Sequence, residues 1–124
     1  MKFFIALILS LAVSSFAIAQ QTQGTPGGYT PIQWNESNEE LVDLLDYGMK
    51  NAIPAAIAAK KLTQAPWVWV RVNSVEAQVV AVGMNYKFNV DIFDGNHDVS
   101  FIDLVIYDDL QGNMSLESWA IFKM

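Results

Sequence analysis

Cysteine is missing from all 124 residues. Thiol nucleophiles, disulfides and cysteine-bearing metal sites are therefore excluded, and a small fold built from this chain must be held by packing alone. Histidine is almost missing as well. The single copy, His97, lies between Asn96 and Asp98 in a polar stretch with no nucleophile identifiable with it, which reads as a solvated loop residue rather than a general base or ligand. Positive charge is scarce: 7 Lys and Arg stand against 13 Asp and Glu, for a formal net charge of -6. That balance argues against a nucleic-acid or anionic-membrane surface and leaves proteins or small molecules as partners. No cofactor and no metal is called for.

Long hydrophobic runs are confined to the beginning. Lys2, the run from Phe3 to Val13, apolar but for Ser10, and then Ala17, Ile18 and Ala19 form a positive start, an apolar core and a small-x-small cleavage site, the pattern of a secretory signal peptide over residues 1–19. The run is too short to span a bilayer as a helix. Cleavage after Ala19 predicts a secreted, extracellular protein with no membrane attachment in its mature form. Because residues 1–19 hold one Lys and no acid, the mature chain is more acidic still, at -7.

Residues 20–28 are Gln, Thr, Gly and Pro, with almost nothing to bury, so they are expected to form a flexible arm ahead of a domain at residues 29–124. Residues 29–34 fit a short strand that Pro31 confines to a sheet edge. Ser37 and Glu40 match a capping box, after which Leu41, Leu44, Leu45, Gly48 and Ala52 recur at helical spacing while Glu39, Glu40, Asp43 and Asp46 face away. Acidic first turns suit the positive end of the helix dipole, and Pro54 is expected to stop or kink the helix. Residues 55–66 fit either a helical extension or a loop with a helical turn, the loop being the favoured reading.

From Trp67 the period changes to two. Val68, Val70 and Val72 alternate with Trp69, Arg71 and Asn73, and further on Met84, Tyr86, Phe88, Val90 and Ile92 alternate with Asn85, Lys87, Asn89 and Asp91. Asp94 and Gly95 mark a turn, residues 99–107 another strand, Gln111, Gly112 and Asn113 a second turn, and residues 114–122 the last strand. The expected architecture is α+β: a single helix packed across a four- to five-stranded antiparallel sheet.

Between the first two long strands stand Gln78, Val79, Val80, Ala81, Val82, Gly83, Met84, Asn85 and Tyr86. Small and β-branched residues around a glycine predict a narrow apolar hairpin tip. Burial of each valine is worth roughly 1.5–3 kcal/mol, so exposing them wastes stability unless a partner's groove receives them. The run resembles the central Gln-Val-Val-Ala-Gly motif of the cystatins, inhibitors of papain-like cysteine proteases, with Asn-Tyr following two residues later. Counting back from Gly83 puts Val79 at the family's Gln position and Gln78 one residue earlier, so either the loop has one extra residue or the Gln is replaced. The resemblance continues through Ile106, Tyr107, Gln111, Gly112, Asn113, Met114, Ser115 and Leu116, with Asp108, Asp109 and Leu110 where the family usually carries Pro-Trp. It covers residues 27–122, mostly by pattern.

The resemblance implies a cystatin-like wedge whose contacts with a papain-like protease come from an N-terminal arm at Gly27 and Gly28, a first hairpin at Gln78, Val79, Val80, Ala81, Val82 and Gly83, and a second at Asp109, Leu110 and Gln111. It implies no chemistry of the chain's own. A missing aromatic anchor in the second hairpin weakens that flank by on the order of 2 kcal/mol, and two carboxylates in its place add desolvation. The protein is expected to be a monomer, with hairpin exchange into a domain-swapped dimer as an alternative. A second reading keeps the fold without inhibition, as a secreted domain binding a peptide or small apolar ligand. Adjacent Asp108 and Asp109 read as turn residues rather than an acid/base pair, which needs carboxyls converging across a cleft.

Overall fold

Asn38 starts the helix. Its Oδ1 accepts a hydrogen bond from the Leu41 amide at 3.2 Å, and the helix α1 runs over Glu39–Ala58. The cap expected at Ser37 is thus one residue later: the Asn35 side chain takes the Ser37 amide at 2.8 Å and its carbonyl takes the Asn38 amide at 2.9 Å, leaving Asn38, an equally good cap, in place. The computed structural model describes residues 28–123. The expected signal peptide, most of the expected arm and Gly27 lie outside the described residues.

Pro54 lies inside the helix, which runs on to Ala58, so of the expected stop or kink the stop does not occur. Its missing N–H falls on the exposed side, with Lys50 exposed one turn before, while Ile53 and Ala56 beside it are buried in the core. Packing therefore carries the helix through the proline. Termination comes from a Schellman motif, in which Lys60 adopts φ 61°, the Lys60 amide bonds the Ile57 carbonyl at 3.0 Å and the Lys61 amide the Ala56 carbonyl at 2.8 Å.

Five strands form one antiparallel sheet in chain order: β1 (Thr30–Ile32), β2 (Val68–Val80), β3 (Gly83–Phe93), β4 (Val99–Asp108) and β5 (Met114–Lys123). Among the described residues the α+β arrangement is the one expected, with one helix across the sheet. Short β1 lies at one edge, as Pro31 requires. Val75, Phe88, Val90, Ile92, Ile102, Leu104 and Ile106 face the helix and pack against Leu41, Leu44, Leu45, Met49, Ala52, Ile53 and Ala56. Gly48 lets the two layers close, since a Cβ there would lie 2.7 Å from the Ile106 Cδ1.

The alternation at the start of β2 does not run through. Register shifts between Trp69 and Arg71 and between Val72 and Ser74 reset the facing of side chains. As a result Val68 and Val70 are 52% exposed, while Trp69 packs edge-on to Trp34 at 5.8 Å and donates its indole N–H to Asp46 Oδ1 at 3.3 Å. At the turn after β3, Asp94 Oδ1 accepts the amides of Asn96, His97 and Asp98 at 2.7, 3.0 and 3.1 Å, and His97 is exposed. Among the described residues no helix is long and apolar enough to cross a membrane.

Candidate functional site: one end of the sheet

Register alone collects three segments. Thr30 opposite Ala77 places Gly28 and Tyr29 beside the last residues of β2, Val80 opposite Gly83 closes the first hairpin, and Met84 opposite Asp108 sets the second hairpin next to it. Gly28 and both loops thus share one end of the sheet.

The first hairpin turns on Ala81 and Val82, between the paired Val80 and Gly83. Val79 is 71% and Val82 69% exposed; Ala81 is exposed, Val80 half-buried and Gly83 buried. Gly83 therefore opens β3 rather than making the turn. Its φ lies outside the left-handed region, and its reason is close approach: a Cβ would strike the Asp108 carbonyl oxygen and lie 2.9 Å from the Tyr107 Cε1. The Tyr107 hydroxyl donates to the Val82 carbonyl at 3.0 Å, joining β4 to the tip. Gln78 is half-buried behind the tip, where its Oε1 accepts from the Asn85 side chain at 3.0 Å across the strand pair.

The second hairpin is built by its own carboxylates. Asp108 Oδ1 accepts the Leu110 amide at 3.0 Å. Asp109 Oδ1 accepts the amides of Gln111 and Asn113 at 2.8 and 3.1 Å, and its Oδ2 takes the Asn113 side chain at 2.8 Å. The Asn113 side chain, then the Gln111 amide, hold the Asp109 carboxyl below its ordinary value. These bonds steer Leu110 to φ 70° with 61% of its surface exposed. Gln111 is exposed beside it. Gly28 is half-buried.

Behind this edge, burial first, then the charges of Asp108 and Glu40, push the Tyr86 phenol well above its ordinary value. Glu40 thereby marks the helix N-terminus as lying towards the same end. Tyr29 carries the Lys87 ammonium 5.0 Å from its ring centroid, with Glu76 Oε1 4.0 Å from that ammonium. Tyr107 is the residue whose part the sequence leaves out; it belongs to the family-like run, but its bond crosses 25 positions of chain and needs the β3–β4 register to be seen.

Among the described residues no group of His, Cys, Asp and Glu could hold a metal ion. An apolar groove of about 520 Å³ lies away from the edge, lined by Ile53, Pro54, Ile57, Ala58, Gln64 and Ala65. No protein-family model matches the chain, and no curated protein matches it.

Proposed function

We propose that the chain is a reversible inhibitor of papain-like cysteine proteases, a cystatin-like wedge that fills the active-site cleft with its arm and two hairpin loops. The observation that carries this reading is the convergence of Gly28, the valine-bearing tip and the Leu110 loop on one end of the sheet, with Val79, Val82 and Leu110 all more than 60% exposed. Exposed apolar side chains on a short, hydrogen-bonded edge are what a protein trench would bury. The wedge does no chemistry: its backbone fills the cleft without offering a scissile bond in register. In the second hairpin the Asp109 carboxylate is already satisfied by its own loop, which lowers the desolvation cost of docking there.

Residues 20–124 are titrated against papain with a peptide substrate. A submicromolar inhibition constant is expected, and no inhibition at micromolar concentration would overturn the reading. Deleting residues 20–28 weakens inhibition, chiefly through faster dissociation; equal inhibition by intact and shortened chains would remove the arm from the contact. The alternative, a secreted domain binding a peptide or small apolar ligand, is supported by the groove beside Ile53 and Ile57. Saturable uptake of an apolar fluorophore, sensitive to Ile57→Asp and without papain inhibition, would favour it.

A further inference from the structure

We propose that Tyr107 is the positioning residue of this edge, locking the tip of the first hairpin to the strand that leads into the second. The consequence for binding rests on the inhibitor reading; the lock itself does not.

Beyond the Val80 and Gly83 pair that closes it and the Gln78–Asn85 bond behind it, little fixes the tip. Ala81 and Val82 turn without a left-handed residue, since Lys60 and Leu110 are the non-glycine positions with positive φ among the described residues. Two-residue hairpins twist in step with their strands when such a residue is present and tend to splay without it. Val79 and Val82 also project into solvent, so few apolar contacts hold the bend, the condition under which a segment opens locally. Tyr107 offsets this from outside the hairpin. Its hydroxyl reaches the Val82 carbonyl at 3.0 Å, and its ring occupies the space that a side chain at residue 83 would need, 2.9 Å from a Cβ built there. Gly83 and Tyr107 are therefore one device: the glycine makes room and the phenol fills it. A tip held in one arrangement is already competent to dock, whereas a tip sampling several binds in proportion to its competent fraction.

Tyr107→Phe keeps the ring and removes the donor. Site-resolved amide exchange at Val80 and Gly83, the pair that closes the turn, is expected to speed up about three- to tenfold, the ratio given by losing one ordinary hydrogen bond. Association with papain is expected to slow by a similar factor while dissociation hardly changes, because the seated tip is the same. Ile121→Val, which trims a half-buried side chain packed against the core on β5, supplies the control: it lowers overall stability and leaves tip exchange and association as in the parent. Unchanged tip exchange in Tyr107→Phe overturns the lock, whether or not papain is inhibited. Faster exchange with unchanged association overturns the positioning role. Absence of inhibition by the parent protein overturns the inhibitor reading instead, and exchange still decides on Tyr107.

Discussion

Gly83 lies so close to Asp108 that a Cβ on the glycine would strike the Asp108 carbonyl oxygen. Backbone cannot rotate aside, so Gly83→Ala must push β3 from β4 at the base of both hairpins, at about 1–3 kcal/mol. Gly48→Ala is the informative comparison. There the nearest atoms are the Ile106 Cδ1 at 2.7 Å and the Leu104 Cδ1 at 3.1 Å, ends of side chains that can shift, and the exchange returns about 0.8–1 kcal/mol of helix propensity. Urea denaturation is expected to rank Gly83→Ala as clearly the more damaging; equal losses would refute the account of residue 83.

Lys60 holds the left-handed position of the Schellman motif at φ 61°. A residue with a Cβ is strained there by roughly 1–2 kcal/mol, and glycine removes that strain while adding about 0.5–1 kcal/mol of unfolded-state entropy cost. Lys60→Gly is therefore expected to raise stability by about 0.5–1 kcal/mol. A lower denaturation midpoint would contradict the helix end described.

Those two sites also mark what was legible in the sequence. The apolar faces of the helix and of β3 could be read because their periods are long and regular, and turns at Asp94 and Gly95 or Gln111 and Gly112 carry their own chemistry. The end of the helix could not, since its stop residue is a lysine where glycine is usual and Pro54 points to a stop that packing overrides. Bulges in β2 hid the facing of Val68, Val70 and Trp69, because each extra residue reverses parity. At the candidate site the exposed valines could be anticipated from composition, but the role of Gly83 and the bond from Tyr107 depend on the register of a third strand.

The Asp109 carboxyl, ordinarily titrating at 3.8, is held lower by the Asn113 side chain and then by the Gln111 amide. A depressed folded value means the carboxylate favours the ordered loop above 3.8 and that this contribution is lost as pH falls through the folded value. Amide chemical shifts of Gln111 and Asn113 are expected to move together on acidification below 3.8, while residues of the α1 core hold theirs. Asp109→Asn should abolish the titration. Shifts already complete above 3.8 would show that the loop carboxylate is not held as described.

Val79 and Val82 test the edge itself. Both are exposed, at 71% and 69%, so replacing them changes little inside the protein, and surface substitutions of this kind usually stay within about 0.5 kcal/mol of the parent. In a docked complex each would lose apolar burial and force a carboxylate out of water, penalties that together exceed the ~1.4 kcal/mol of a tenfold change in affinity. The double variant Val79→Asp with Val82→Asp is therefore expected to keep its denaturation midpoint and lose at least tenfold in papain inhibition. Val68→Asp with Val70→Asp provides the comparison, since those valines are also exposed but lie towards the opposite end of β2. It should retain inhibition. If both pairs weaken inhibition alike, binding is not confined to the edge formed by the hairpins; if neither does, the valines at the tip face no protease.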